Sequence, residues 1–183
     1  MKRLGWRRRI LALAAAAAIA SVPSCASSEV EPVPTGDLAK LDFTLKDMNG
    51  KDVNLASFRG RPIILNFWAT WCGPCKAEIP ALIELADQYK AQQLTVLGVS
   101  VDDSPEELRQ FAAEYKMNYP VLVGLGHDTF QEQYDAVLMV PITWFIKPDG
   151  TVLKKHQGPA SKSWFEAQVK AMIGTAGPVA EAH

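Results

Sequence analysis

The feature that most narrows the fold is the junction at residues 61–75, where "RPIILNFWAT" runs straight into "WCGPC". An unbroken apolar, β-branched and aromatic stretch reads as a central strand covered on both faces. Pro74 suits the first turn of a helix, where its missing N–H has no partner to lose. From Pro74 to Lys90 the apolar residues Ala77, Leu82, Leu85, Ala86 and Tyr89 return at roughly helical spacing, with a kink expected at Pro80. A buried strand thus hands over to a helix at a pair of cysteines.

The flanking sequence repeats that alternation. Upstream, "LDFTLKDMNGKDVNL" alternates apolar and polar residues around an Asn-Gly pair, which predicts a hairpin. Downstream, residues 94–102 read as a second buried strand. "SPEELRQFAAEYK" reads as a helix opened by Ser104 as N-cap, Pro105 at its first position and Glu107 at its third. Residues 119–124 read as a short strand, 128–137 as a short helix, 141–158 as a hairpin around "PDG", and 161–173 as an amphipathic helix. Strands and helices in alternation, closed by an antiparallel hairpin, predict an α/β sandwich with a mixed sheet. No glycine-rich phosphate loop follows the first strand, which argues against a dinucleotide fold.

The front of the chain reads as an address. A basic head "MKRLGWRRR" precedes "ILALAAAAAIASV" and then "PSCASS", the order of an export signal over residues 1–24. The apolar run is short of the roughly 20 residues a spanning helix needs, so cleavage is expected. "VPSC" at 22–25 resembles the lipobox of bacterial lipoproteins, with Cys25 as the lipid acceptor; cleavage nearby without lipidation is the other reading. The adjacent arginines of "RRRIL" resemble a twin-arginine signal. Residues 25–37 read as a flexible tether rich in small, proline and acidic residues, 38–174 as the folded domain and 175–183 as a disordered tail. Without residues 1–24 the chain keeps fourteen basic and twenty acidic side chains. It has no basic cluster to neutralise phosphates, so nucleic acid is not an expected partner.

With Cys25 lipidated or removed, the domain holds Cys72 and Cys75 as its only cysteines. A crosslink closing so small a loop removes little chain entropy, so a scaffold role is a poor explanation. Zinc would need two further ligands, and His127, His156 and His183 form no ligand pair. Cu(I) held by two thiolates is sound chemistry, yet no Met/His-rich tract accompanies it. A working redox pair fits better. Cys72, at or just before a helix N-terminus, gains thiolate stabilisation from free N–H groups and the helix dipole. Cys75, one turn in and more shielded, is then the resolving thiol.

"FWATWCGPCKAEIP" resembles the active-site motif of thioredoxin-fold proteins, and specifically the TlpA/ResA-like family of exported thiol-disulfide oxidoreductases. The likeness extends over residues 38–173, through the hairpin and strand leading to Cys72, the inserted "SPEELRQFAAEYKMNYPVLV" and "VPITWFIKPDGTV". It implies a thioredoxin-like sandwich: a central mixed sheet flanked by helices, with an N-terminal β-hairpin and a central αβ insertion. It implies that Pro141 is a cis-proline facing the disulfide, with the Val140 backbone free to pair with an extended substrate. Trp71, Gly73 and Pro74 complete the substrate-facing set, while Trp68, Trp144 and Phe145 are expected in the core. Thioredoxins proper carry a buried aspartate where this chain has Asn66. The family pattern instead has a glutamate at the position of Glu78, which helical spacing puts on the cysteines' side and burial would tune for proton transfer.

The function implied is that of a protein-disulfide reductase on the periplasmic face of a bacterial membrane, lipid-tethered, monomeric and without a cofactor. Substrates implied by kinship are apocytochrome c or copper-site assembly proteins, with electrons from a membrane thiol transporter of the DsbD or CcdA kind. A Cu(I)-handling thiol module and a peroxiredoxin-like peroxidase are the competing classes. The latter's peroxide-reducing cysteine sits in a Pro-Thr-rich loop with a distant partner, unlike "WCGPC".

Overall fold

The computed structural model describes residues 36–136 and 139–174. The expected signal, Cys25, nearly all of the tether and the 175–183 tail lie outside them. The run at 61–70 forms β3 (Ile63–Trp68), buried at every position, at the centre of a five-stranded sheet. Along the sheet the strand order is β5 (Val121–Val123), β4 (Thr95–Ser100), β3, β6 (Ile142–Ile146) and β7 (Val152–Gln157). The first three run parallel, and β6 and β7 are added antiparallel, so the sheet is mixed as expected. The register sets Asn66 beside Gly98 on β4 and beside Thr143 on β6, with His156 of β7 next in the row.

The two faces of the sheet are covered differently. Ile63, Leu65, Phe67, Leu97 and Val99 pack against Leu45, Leu55, Phe130 and Tyr134, under the N-terminal hairpin and α3 (Asp128–Gln133). That hairpin is β1 (Thr44–Lys46) paired with β2 (Asp52–Asn54). Its turn is held by the Asp47 carboxylate, which accepts the N–H groups of Asn49 and Lys51, and by Gly50 at φ +81°. On the other face Ile64, Val96 and Phe145 meet α1 (Gly73–Gln88) and α4 (Lys162–Gly174) through Leu82, Leu85, Phe165 and Val169. Helix α1 continues as one element through Pro80.

The inserted helix α2 (Pro105–Tyr115) has the capping box read from its sequence. Ser104 Oγ accepts Glu107 N–H, and the Glu107 carboxylate accepts Ser104 N–H at 2.8 Å. Together with β5 it extends the parallel half of the sheet, and its Leu108 and Phe111 pack with Trp68, Cys75 and Ile79. Helix α3 is shorter than the expected 128–137. It ends at Gln133 because Asp135 takes a left-handed conformation at φ +53°, which breaks the helical hydrogen-bond series. The arrangement of hairpin, mixed sheet, flanking helices and inserted α2–β5 is the thioredoxin-like sandwich.

Candidate active site

Cys72 is the N-cap of α1. Its backbone is extended, and its sulfur accepts the Cys75 N–H at 3.2 Å. Gly73 and Pro74, both exposed, form the first turn. Cys72 and Cys75 are joined by a disulfide with S–S 2.04 Å and Cα–Cα 5.3 Å. Cys75 is fully buried, and Cys72 is 3% exposed. A helix N-terminus with an N–H directed at the Cys72 sulfur is an environment that favours negative charge there once the bond is reduced.

Across the disulfide lies the loop before β6. The Val140–Pro141 peptide bond is cis, and the Val140 carbonyl oxygen lies 3.8 Å from Cys72 Sγ. Pro141 itself is buried, and its carbonyl accepts the Gly158 N–H at 2.9 Å, which fixes the loop to the end of β7. Trp71 is 64% exposed and its indole N–H is held by the Asp102 carboxylate at 3.0 Å. Between Trp71, Asp102, Gln131, Met139 and Val140 lies a surface cavity of about 180 Å³ beside the disulfide. Trp68, in contrast, is fully buried, 4.9 Å from the Phe111 ring. Phe145 is buried, while Trp144 is half-buried with its N–H on the Tyr134 carbonyl.

Beneath the cysteines Glu78 is 1% exposed, one turn beyond Cys75. Asn66 Nδ2 donates to Glu78 Oε1 at 2.8 Å and to Thr143 Oγ1 at 2.9 Å. Burial pushes the Glu78 carboxyl up to about 7, and the Asn66 amide and the Ala160 backbone only partly oppose it. Position 66 and position 78 therefore form one hydrogen-bonded unit. A carboxyl that titrates near neutrality, under a disulfide, can hold or release a proton at physiological pH. The Lys76 ammonium lies over the Phe111 ring at 6.0 Å, on the α2 side of the helix.

Sequence reasoning passed over the acids that follow β4. Buried Asp103 accepts the Thr70 N–H at 2.8 Å, the Thr70 hydroxyl at 2.5 Å and the Ser100 hydroxyl at 2.6 Å. With Asp102 on Trp71, the β4–α2 loop grips the two residues just before Cys72. The available signal was "VDD" at the carboxyl end of a strand parallel to β3, the end of such sheets where sites assemble.

Comparison with known proteins places these features in context. The AhpC/TSA family model matches residues 35–155. A curated relative, the thiol-disulfide oxidoreductase ResA of Oceanobacillus iheyensis, is 35% identical over 162 residues, which is 85% of this chain and 82% of that one. Among solved structures, a putative thiol:disulfide interchange protein DsbE from Chlorobium tepidum superposes with TM-score 0.70 at 30% identity, covering 78% of this chain and 99% of that one. The exposed lipoprotein thioredoxin Etrx1 of Streptococcus pneumoniae superposes with TM-score 0.61 at 30% identity, covering 71% of this chain and 98% of that one.

Proposed function

We propose that this chain, which belongs to the AhpC/TSA family and is a ResA-like thiol-disulfide oxidoreductase of thioredoxin fold, works as an exported protein-disulfide reductase. The observation that carries the reading is the Cys72–Cys75 disulfide at the N-terminus of α1, with an ionisable carboxyl buried beneath it.

In the reduced protein the Cys72 thiolate attacks one sulfur of a substrate disulfide. A Cys72–substrate bond forms, and the other substrate sulfur leaves as a thiolate. Glu78 takes the Cys75 proton, and the Cys75 thiolate attacks Cys72 Sγ. The intramolecular disulfide forms and the second substrate sulfur is released. Two electrons pass to the substrate, and a membrane dithiol donor of the DsbD or CcdA kind restores the pair. Substrate lies as an extended segment along the Val140–Pro141 loop, against Trp71, Gly73 and Pro74. The 180 Å³ cavity beside Val140 supports such a position for a substrate side chain.

The leader at 1–24, the lipobox-like "VPSC" with Cys25, and the likeness to a protein described as an exposed lipoprotein support export and a lipid tether at the periplasmic face. Apocytochrome c or copper-site assembly proteins are the substrates we propose. The test is the equilibrium of the Cys72/Cys75 pair against glutathione. A potential near thioredoxin's, about −270 mV, is expected; one near DsbA's, about −120 mV, would overturn the reducing direction.

A further inference from the structure

Among the described residues five buried side-chain polar atoms have no partner at hydrogen-bond geometry: Asn66 Oδ1, Trp68 Nε1, Glu78 Oε2, Tyr119 Oη and His156 Nε2. The Ala160 N–H also bears on the Glu78 carboxyl and leaves its oxygens room for a further donor. His156 lies two strands from Asn66, its ring 4.2 Å from that of Trp164 and tilted 41° to it. The other four gather beneath α1, on one face of the β3–β4 pair. Asn66 carries Glu78 and pairs in register with Gly98. Over Gly98, where a side chain would stand, lie two rings. Tyr119 Cε2 is 3.0 Å and Trp68 Nε1 is 3.1 Å from the point a Cβ would occupy. Burial raises the Tyr119 hydroxyl above its ordinary range, and the Glu78 charge raises it further.

Proteins rarely leave buried polar atoms unpaired, and four in one place is a combination to be explained. The four divide into two donors, an indole N–H and a phenol O–H, and two acceptors, a carboxylate oxygen and an amide oxygen. That set matches the valence of one water molecule, which buried sites hold through about three hydrogen bonds. We propose that a single buried water sits among Trp68, Tyr119, Glu78 and Asn66, and that through it Tyr119 is a positioning residue for the Glu78 carboxyl. The water accepts from Trp68 Nε1–H and Tyr119 O–H and donates to Glu78 Oε2 and Asn66 Oδ1.

The inference rests on the reading of Glu78 as proton carrier. In that step Cys75–SH and ionised Glu78 become Cys75 thiolate and neutral Glu78; a proton moves and no electron does. Donors relayed to Oε2 favour the ionised form, so the water offsets part of what burial imposes. Gly98 keeps the arrangement because an added methyl would press both rings away by a few tenths of an ångström. The other ionisable groups near this layer are turned elsewhere: Lys154 and His156 of β7 lie against Trp164, and Lys76 of α1 lies over Phe111.

The test is carbon-13 NMR of the intact oxidised protein with labelled glutamate. In Tyr119→Phe the Glu78 acid constant is expected to fall about fivefold, the loss of one water-relayed hydrogen bond to a charge. In the unaltered protein the Trp68 indole proton is expected to show cross-relaxation with a long-lived water. An unchanged Glu78 midpoint in Tyr119→Phe, or no such water signal, overturns the proposal. Should Tyr119→Phe fail to fold, Gly98→Ala is expected to shift the same midpoint upward, and an unchanged midpoint there counts equally against it. If the midpoint shifts while Glu78→Gln leaves the pH profile of turnover untouched, the water stands and the proton-carrier reading falls.

Discussion

Asn66 Nδ2 and Glu78 Oε1 are 2.8 Å apart, so an amide on the central strand and a carboxyl on the first helix share one hydrogen bond beneath the disulfide. The amide donates to a carboxyl whether or not it is ionised, so it orients Glu78 through the whole proton cycle. Glutamine at 78 can accept the same bond, which makes Glu78→Gln a clean removal of the titrating proton.

That variant has a pH-dependent effect on stability whose sign is fixed by burial. The Glu78 carboxyl, ordinarily at 4.5, is raised to about 7 by burial in the folded state. Below the lower value both states are protonated and no penalty exists. Between the two the unfolded chain ionises first, and stability is lost as pH rises through the folded value. Glu78→Gln should therefore be more stable than the unaltered protein at pH 8, by about 3 kcal/mol from the size of the shift, and nearly equal to it at pH 4. Urea unfolding at the two pH values measures the difference. A variant less stable at pH 8 would contradict the assigned shift.

The cysteines should behave asymmetrically. Cys72→Ala is expected to abolish reduction of insulin disulfides, because the attacking sulfur at the helix N-terminus is lost. Cys75→Ala is expected to accumulate mixed disulfides with protein substrates, visible as added mass on intact-protein spectrometry. Accumulation by the Cys72 variant instead would reverse the two roles.

Trp71 is exposed and its indole is anchored by Asp102, so its removal should act on docking and not on folding. Trp71→Ala should raise KM for a peptide disulfide about fivefold, the worth of one aromatic contact, with kcat little altered. A fall in kcat at constant KM would instead place Trp71 in the chemical step.

Asp103 holds two groups of Thr70 and the Ser100 hydroxyl, all in or beside the loop before Cys72. Asp103→Ala leaves a backbone N–H and two hydroxyls without their acceptor and should cost about 2–3 kcal/mol in urea unfolding. Loss below 0.5 kcal/mol, roughly the level of an ordinary surface substitution, would show that water replaces the carboxylate.

The elements that sequence reading located are those whose signals are local. β3 announced itself by an unbroken apolar run, α2 by its Ser104 to Glu107 box, and the β6–β7 hairpin by "PDG". The chain was less legible where two distant segments meet. Asn66 read as a departure from thioredoxin, and its bond to Glu78 requires knowing which face of α1 meets which strand. Asp103 was passed over, since nothing local says that Thr70 is its partner. Trp144 was expected in the core and is half-buried, packed against the cluster under the hairpin with its N–H on the Tyr134 carbonyl. Helix α3 stopped early through a left-handed Asp135, a backbone choice that its composition does not encode.

The near-complete burial of the disulfide sorts the traffic that reaches it. With Cys75 enclosed and Cys72 showing 3% of its surface, a freely diffusing thiol finds little sulfur to attack. A polypeptide that lays itself along Val140 gains contacts before any sulfur is attacked. Burial of this kind favours exchange with protein clients that fit over exchange with small thiols, and so slows leakage between two thiol pools.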